Sequence, residues 1–410
     1  MVAEAKEHLA HVGALISDPA TYQRDEWEPL FALLRREDPV HRVHDSFFGP
    51  YWAITRFDDI REIEVNTQVF SSDSHFGGIQ PYDLPPEAAL RTFFMMDPPD
   101  HTQHREVLKI LGLPQGVAAL ENLIRQSTRE VLAGLPRGDE FDWTERVSIE
   151  LTSTMLAAMM GYPIEKRRDL VYWSEVMTCF LDDPDAPISS EQEREAEKLR
   201  FAETMMTLWE QSSKEPASTS LLSILAHSDL MNSLSLQERM GTLLTFLVGG
   251  NDTTRNTMSG GLWALWEHPD ELRKLRETPT LVRPFVQESL RWQTPALCMR
   301  RNALQDIDFK GKSIKRGDKV ILWYISANRD DEAIERASEF IVDRERPSRH
   351  LTFGHGIHRC IGARLAEVQL AILWEEFLAH GYEFEVLAKP EYAYSSAFRA
   401  IRHLPVRITN

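Results

Sequence analysis

Residues 353–362 read FGHGIHRCIG, and they run directly into ARLAEVQLAILWEEFLAHG, residues 363–381. The second segment spaces its apolar residues as a helix does. The first holds three glycines, two histidines, an arginine and one cysteine, Cys360, placed at the mouth of that helix. Free N–H groups at a helix start favour a thiolate over a thiol, and thiolates ligate metals. Taken alone, the stretch allows three readings: a buried free cysteine at a helix cap, a zinc site drawing on His355 and His358, or a cysteine nucleophile. Zinc wants a second cysteine or a recognisable histidine pair elsewhere, and a nucleophile wants a partnering base.

The rest of the chain narrows the setting. With 410 residues and 42% hydrophobic content there is material for a large core. The three cysteines, Cys179, Cys298 and Cys360, are widely spaced and odd in number, which predicts a reducing compartment. A formal net charge of −17 argues against nucleic acid or an anionic membrane as the main partner. The N-terminus lacks a signal-peptide core, and no uninterrupted apolar run reaches the ~18 residues a span requires. The expectation is a soluble cytoplasmic protein.

Alternating β-formers around a Gly-Pro turn predict a hairpin over about 38–56. The first 35 residues read as loop plus helix. Residues 72–96 are irregular, with Gly77, Gly78, Pro81, Pro85 and Pro86, and carry Phe76, Ile79, Leu84, Phe93 and Phe94; long loops of this kind tend to be functional. Helical patterns fill about 103–280, broken near Pro136, Pro163 and 182–188. Strand-like alternation returns over 300–326 and near the C-terminus. Neither β portion can bury itself alone, so the chain is expected to form one interleaved domain over 1–410, mainly α with a smaller β portion.

One helix stands out. Ser235 and Glu238 form a capping box, and the apolar pattern continues to about Glu267. At 1.5 Å per residue such a helix spans roughly 48 Å. Its middle reads LVGGNDTTRN, residues 247–256. Two glycines at about 1 kcal/mol each, followed by an acid and two threonines, break local propensity at one place, and such places are often functional.

The pattern Phe353-x-x-Gly356-x-His358-x-Cys360-x-Gly362 resembles the haem-binding signature of the cytochrome P450 family. The resemblance implies the family's fold, with the long central helix over haem b, and Cys360 as axial ligand to iron. It places Gly354 and Gly362 in the turns beneath the porphyrin, Phe353 beside the sulfur, and His358 at a propionate. ESLR, Glu288 to Arg291, is similar to the family's E-x-x-R pair, with Arg344 as the second arginine of a structural trio. GGNDTT is similar to its oxygen-activation motif: Gly249 and Gly250 would open a groove for dioxygen, and Asp252 and Thr253 would relay protons. DPPDHTQHR implies His101 and Arg105 as further propionate partners, and RNALQD implies Arg301.

The family's usual reaction puts one atom of O2 into a C–H bond, with electrons from a partner. The chain resembles soluble bacterial members that act as monomers, without a membrane, and are fed by ferredoxin and an NADH-dependent ferredoxin reductase. VGGNDTTRNTMSGG, WYISANRD, FSSDSHFGG and MMDPPDHTQHR together resemble the bacterial subgroup that hydroxylates terminal carbons of alkanes and medium-chain fatty acids. By position, Phe246, Val248, Leu297, Met299 and Phe398 are the expected lining for a small apolar substrate, with Phe76 and Ile79 at the mouth. A steroid or terpenoid hydroxylase is the alternative within the family, and a haem-thiolate sensor without turnover the alternative outside it.

Overall fold

The computed structural model describes residues 2–83 and 91–410; Leu84, Pro85 and Pro86 of the irregular segment lie outside the described residues. The predicted hairpin is present: β1 (Val40–Val43) pairs antiparallel with β2 (Tyr51–Ile54). Both ends of the chain then meet in one sheet. With β3 (Phe70–Ser71), β5 (Cys298–Ala303) and β8 (Lys319–Trp323), the order is β1-β2-β8-β5-β3, and β2 runs parallel to β8. A second sheet joins β4 (Glu140–Asp142) and β9 (Phe384–Val386) through β12 (Pro405–Ile408). Two small pairs, β6 (Ile307–Phe309) with β7 (Lys312–Ile314) and β10 (Glu391–Tyr392) with β11 (Ile401–His403), complete the strands described.

Two local expectations need correction. The strand expected to reach about 326 stops at Trp323, and Tyr324–Ala327 form one helical turn. Tertiary hydrogen bonds hold that turn: the Tyr324 hydroxyl donates to Glu64 at 2.7 Å, and Arg35 donates to the Ser326 carbonyl and hydroxyl. The N-terminal stretch is more helical than expected, with helices over Val2–Leu15, Pro19–Gln23 and Glu28–Glu37.

The central helix runs from Leu236 to Glu267, 32 residues, with both halves of the Ser235–Glu238 capping box made. It changes partners along its length. Leu243, Phe246 and Leu247 pack with Met155, Leu156 and Trp173, on the helices Glu150–Met160 and Arg167–Thr178. Met258, Leu262 and Leu265 pack instead with Phe285, Leu290 and Trp374. The polar segment Gly249–Arg255 falls between these two apolar clusters, so the broken propensity marks where the core is divided. Among the described residues no single helix is long and apolar enough to cross a membrane.

Candidate active site

The cysteine loop is closed by its own backbone. The Cys360 N–H donates to the Phe353 carbonyl at 2.8 Å, just before the helix Ala363–Ala379. Gly356 has φ +66°, and a Cβ there would stand 2.6 Å from the Glu64 carbonyl oxygen, so both conformation and space demand glycine. Gly354 also has φ +66°. A Cβ on Gly362 would sit 3.9 Å from the Cys360 sulfur, close below it. Burial pushes the Cys360 thiol up, against the amides of Gly362 and Ala363 and the charges of Arg359 and Arg105. The helix mouth works against this burial, and a cation bound at the sulfur would favour the thiolate further. Among the described residues no group of three or more potential metal ligands gathers, as a closed zinc site requires. Phe353 is half-buried, under the guanidinium of Arg359 at 5.8 Å.

Beside the loop lies a set of basic groups without partners. The rings of His101 and His358 stand 4.4 Å apart, centroid to centroid. Both nitrogens of each ring are buried and unbonded, as is Arg105 Nη1. Arg105 is fixed through Nη2, which donates to the Arg359 carbonyl at 2.5 Å. Burial, then Arg301, lowers His358 to about 2; burial, then Arg105, lowers His101 to about 4. Buried polar groups are normally satisfied, so one N–H from each neutral ring and the free guanidinium N–H, left open together, identify a place for acceptor oxygens. A carboxylate-bearing cofactor fits it. Arg301 is near but occupied: Nη1 donates to the Arg300 carbonyl at 2.9 Å, and Nη2 meets Glu64 Oε1 at 3.1 Å.

A second buried cluster contrasts with it. Glu288 and Arg291 are wholly buried and joined twice, at 2.8 and 2.7 Å. Arg344 joins the same carboxylate twice, at 3.0 and 3.1 Å. Arg291 also donates to the carbonyls of Asn328 and Ala337, both at 2.7 Å. Burial alone would raise the Glu288 carboxyl, yet Arg291 and Arg344 hold it below its ordinary value.

The polar segment of the central helix separates residues that the sequence groups together. A Cβ on Gly249 would meet nothing within 4 Å, whereas one on Gly250 would lie 3.0 Å from Leu156 Cδ1. Gly249 has open space at its Cβ position, whereas Gly250 lets the Glu150–Met160 helix approach closely. The Thr253 hydroxyl donates to the Gly249 carbonyl at 2.9 Å. Asp252 faces the other way, accepting from Ser174 at 2.9 Å and pairing with Arg255 at 2.9 Å. Arg255 continues to Glu175 at 3.0 Å, a residue whose side chain is 40% exposed. Asp252 is thus buried but linked to the surface through Arg255 and Glu175, while Thr253 is half-buried and bonded within its own helix.

The expected apolar lining divides in the same manner. Val248, Met299 and Phe398 are half-buried, and Phe246 packs against Phe93 at 6.0 Å. Leu297 is fully buried in the core cluster of Val12, Tyr22 and Trp323, so it has no face to offer a substrate. Its neighbour Ala296 is half-buried and bridges to Phe398. Phe76 is 52% exposed. Ile79 is half-buried, and its carbonyl accepts from the Arg300 N–H at 2.8 Å.

Several residues were not foreseen. Asp83 bridges two buried cations, Arg300 at 2.6 Å and Lys319 at 2.9 Å, and Asn302 donates to the Gly78 carbonyl at 3.0 Å. These contacts pin residues 77–83 to the sheet. The available signal was the Arg300–Arg301 doublet, since adjacent strand residues face opposite sides. Glu64, buried against Arg301 and Tyr324, is the other.

A glycine-turned cysteine loop, with buried imidazoles and a guanidinium nitrogen left unpaired beside it and a long helix opened in its polar middle at Gly249, is the architecture of a haem-thiolate protein. The family signature described as Cytochrome P450 matches residues 88–393, and the chain belongs to that family. It is a cytochrome P450 monooxygenase, with haem-thiolate iron as its cofactor and O2 and electrons from a redox partner as its co-reactants. Two solved structures share its fold at a TM-score of 0.90: cytochrome P450-153 from Novosphingobium aromaticivorans, 38% identical over 97% of this chain and 100% of that one, and CYP153D17 from Sphingomonas sp. PAMC 26605, 40% identical over 96% and 98%. Linalool 8-monooxygenase of Pseudomonas putida is 31% identical over 95% of this chain and 98% of its own length.

Proposed function

We propose that the chain, as a single catalytic domain over 1–410, binds haem b and hydroxylates the terminal carbon of linear alkanes or medium-chain fatty acids. Ferredoxin and an NADH-dependent ferredoxin reductase supply the electrons, and the enzyme works as a cytoplasmic monomer. The observation that carries the reading is the half-buried apolar set Val248, Ala296, Met299 and Phe398, together with the opening at Gly249. The subgroup motifs quoted from the sequence direct it toward linear chains.

Haem, when bound, supplies reductive activation of O2 at a thiolate-ligated iron. Cys360 provides the thiolate; His101, Arg105 and His358 would hold the propionates, with Arg301 at their side. Thr253 serves as the proton donor. Asp252 resupplies it once its pair with Arg255 opens, because Glu175 connects that pair to solvent. The apolar lining holds a chain by burial, at about 0.8 kcal/mol per methylene. A primary C–H bond is the strongest in such a chain, so terminal selectivity demands a constriction that presents only the methyl group. About 1.4 kcal/mol in barrier difference makes a tenfold product ratio.

Incubating the reconstituted enzyme with octane and with dodecanoic acid, then locating the hydroxyl by mass spectrometry, tests the proposal. Terminal alcohols are expected. Mainly sub-terminal alcohols, or turnover of neither substrate, would overturn it. The likeness to linalool 8-monooxygenase supports a terpenoid hydroxylase as the second reading, which gains if a terpene alcohol is turned over and both linear substrates are refused.

A further inference from the structure

Glu64 is a carboxylate in an unusual place. It ends the helix Phe57–Val65, on the same face as Ile60 and Ile63, where the pattern calls for an apolar residue. It is 2% exposed, and the groups around it are Arg301 at 3% and Tyr324 at 4%. Its Oε1 accepts from Arg301 Nη2 at 3.1 Å and from the Tyr324 hydroxyl at 2.7 Å. Its own backbone carbonyl lies where a Cβ of Gly356 would be, and its Oε1 is 3.4 Å from the equivalent position on Gly354. Four segments therefore converge on one residue: the helix end, β5 through Arg301, the turn after β8 through Tyr324, and the cysteine loop through its glycines. Burial raises the carboxyl, while Arg301, Tyr324 and the His355 amide act in favour of the charged form.

We propose that Glu64 is a positioning residue that orients Arg301 and the cysteine loop, and that its negative charge lowers the reduction potential of the haem. A buried acid is held at a site only when partners offset its desolvation, and here those partners are Arg301 and the loop around Cys360. Arg301 lies close enough to His358 for its charge to act on that ring. A fixed negative charge in this low-dielectric setting opposes addition of an electron to iron, and hydrogen bonds around a metal site tune it in the same sense. The inference does not depend on which substrate is oxidised.

Two variants of the haem-loaded enzyme test it by spectroelectrochemical titration of the ferric–ferrous couple. Glu64→Gln removes the charge at constant shape and is expected to shift the midpoint potential positive. Tyr324→Phe removes a donor that favours the charged form, and is expected to shift it positive as well, by less than Glu64→Gln. A purely structural role predicts loss of haem or of thermal stability with no ordered shift in the potential of the haem that remains bound. Unchanged midpoints, negative shifts, or a larger shift in Tyr324→Phe than in Glu64→Gln would overturn the proposal. If Glu64→Gln does not take up haem, the Tyr324→Phe potential decides alone: a positive shift supports the charge effect, and no shift or a negative one ends it.

Discussion

Two buried polar clusters of the molecule are built to opposite rules. In the Glu288–Arg291–Arg344 cluster the carboxylate is gripped twice by each arginine, and Arg291 is further bound to backbone carbonyls. In the His101–Arg105–His358 cluster both nitrogens of each ring, and one guanidinium nitrogen, have no partner. The first is complete within the chain, the second only when something else is bound. Satisfied burial marks scaffold and unsatisfied burial marks a ligand site, even where both use the same residue types. Removing one member should therefore have opposite consequences in the two places.

The largest effect is expected from Glu288→Ala. It leaves Arg291 wholly buried without its counter-charge, and breaking a buried pair from one side costs about 3–5 kcal/mol. Against a typical total of about 5–15 kcal/mol, the urea midpoint should fall sharply and little haem-loaded protein should be recovered. A midpoint within error of the unmodified chain would show that the cluster is not scaffold.

The second cluster should behave the other way. In the haem-free protein, His101→Ala with His358→Ala removes unpaired polar groups, so the urea midpoint at neutral pH should hold or rise. Haem transfer from the loaded variant to a scavenger globin should quicken by about tenfold, roughly 1.4 kcal/mol. The two rings also predict a pH slope. Their values in the fold, about 4 for His101 and about 2 for His358, lie below the ordinary 6.5. The folded haem-free chain then binds fewer protons than the unfolded one, so this contribution to stability is full above about pH 6.5 and is lost as the pH falls toward those values. The double variant should lack that slope; if it keeps it, the acid sensitivity originates elsewhere.

What could be read in advance follows how local each feature is. The central helix was legible because Ser235 and Glu238 cap it through contacts three residues apart. The cysteine loop was legible because glycines at φ +66° and a cysteine at a helix start leave a short, rigid pattern. Arg344 was recoverable as the partner of Glu288 only through the family likeness, since 56 residues separate them. Register was not legible. Ala296 and Leu297 are equally apolar, and only the strand's placement buries Leu297 in the core and leaves Ala296 beside Phe398. Nor was the packing of one helix on another, which separates Gly249 from Gly250. Glu64 carried a faint signal, an acid at an apolar position of a helix. Asp83 and Lys319 carried almost none, and Arg300 only its place in the Arg300–Arg301 doublet, because their meeting depends on a loop folding back over a sheet.

The smallest effect makes the finest comparison, between those two adjacent glycines. In a helix interior, glycine is about 0.8–1.0 kcal/mol less favourable than alanine. At Gly249 nothing stands within 4 Å of an added Cβ, so Gly249→Ala should recover that difference and raise the stability of the haem-free protein by up to about 1 kcal/mol. At Gly250 the added methyl meets Leu156 Cδ1 at 3.0 Å, and that side chain must yield by a few tenths of an ångström. The propensity gain is then offset by overpacking, and Gly250→Ala should be neutral or slightly destabilising. Function should order the pair in reverse. The methyl at 249 projects into the opening beside Thr253, so it should divert electrons from product to hydrogen peroxide, read as product formed per NADH consumed. The methyl at 250 projects toward Leu156 and should leave that ratio nearly unchanged. Equal coupling in both variants, with Gly249→Ala the more stable, would mean that the open side of the helix has no part in handling oxygen, and that Gly249 is retained for some reason other than access.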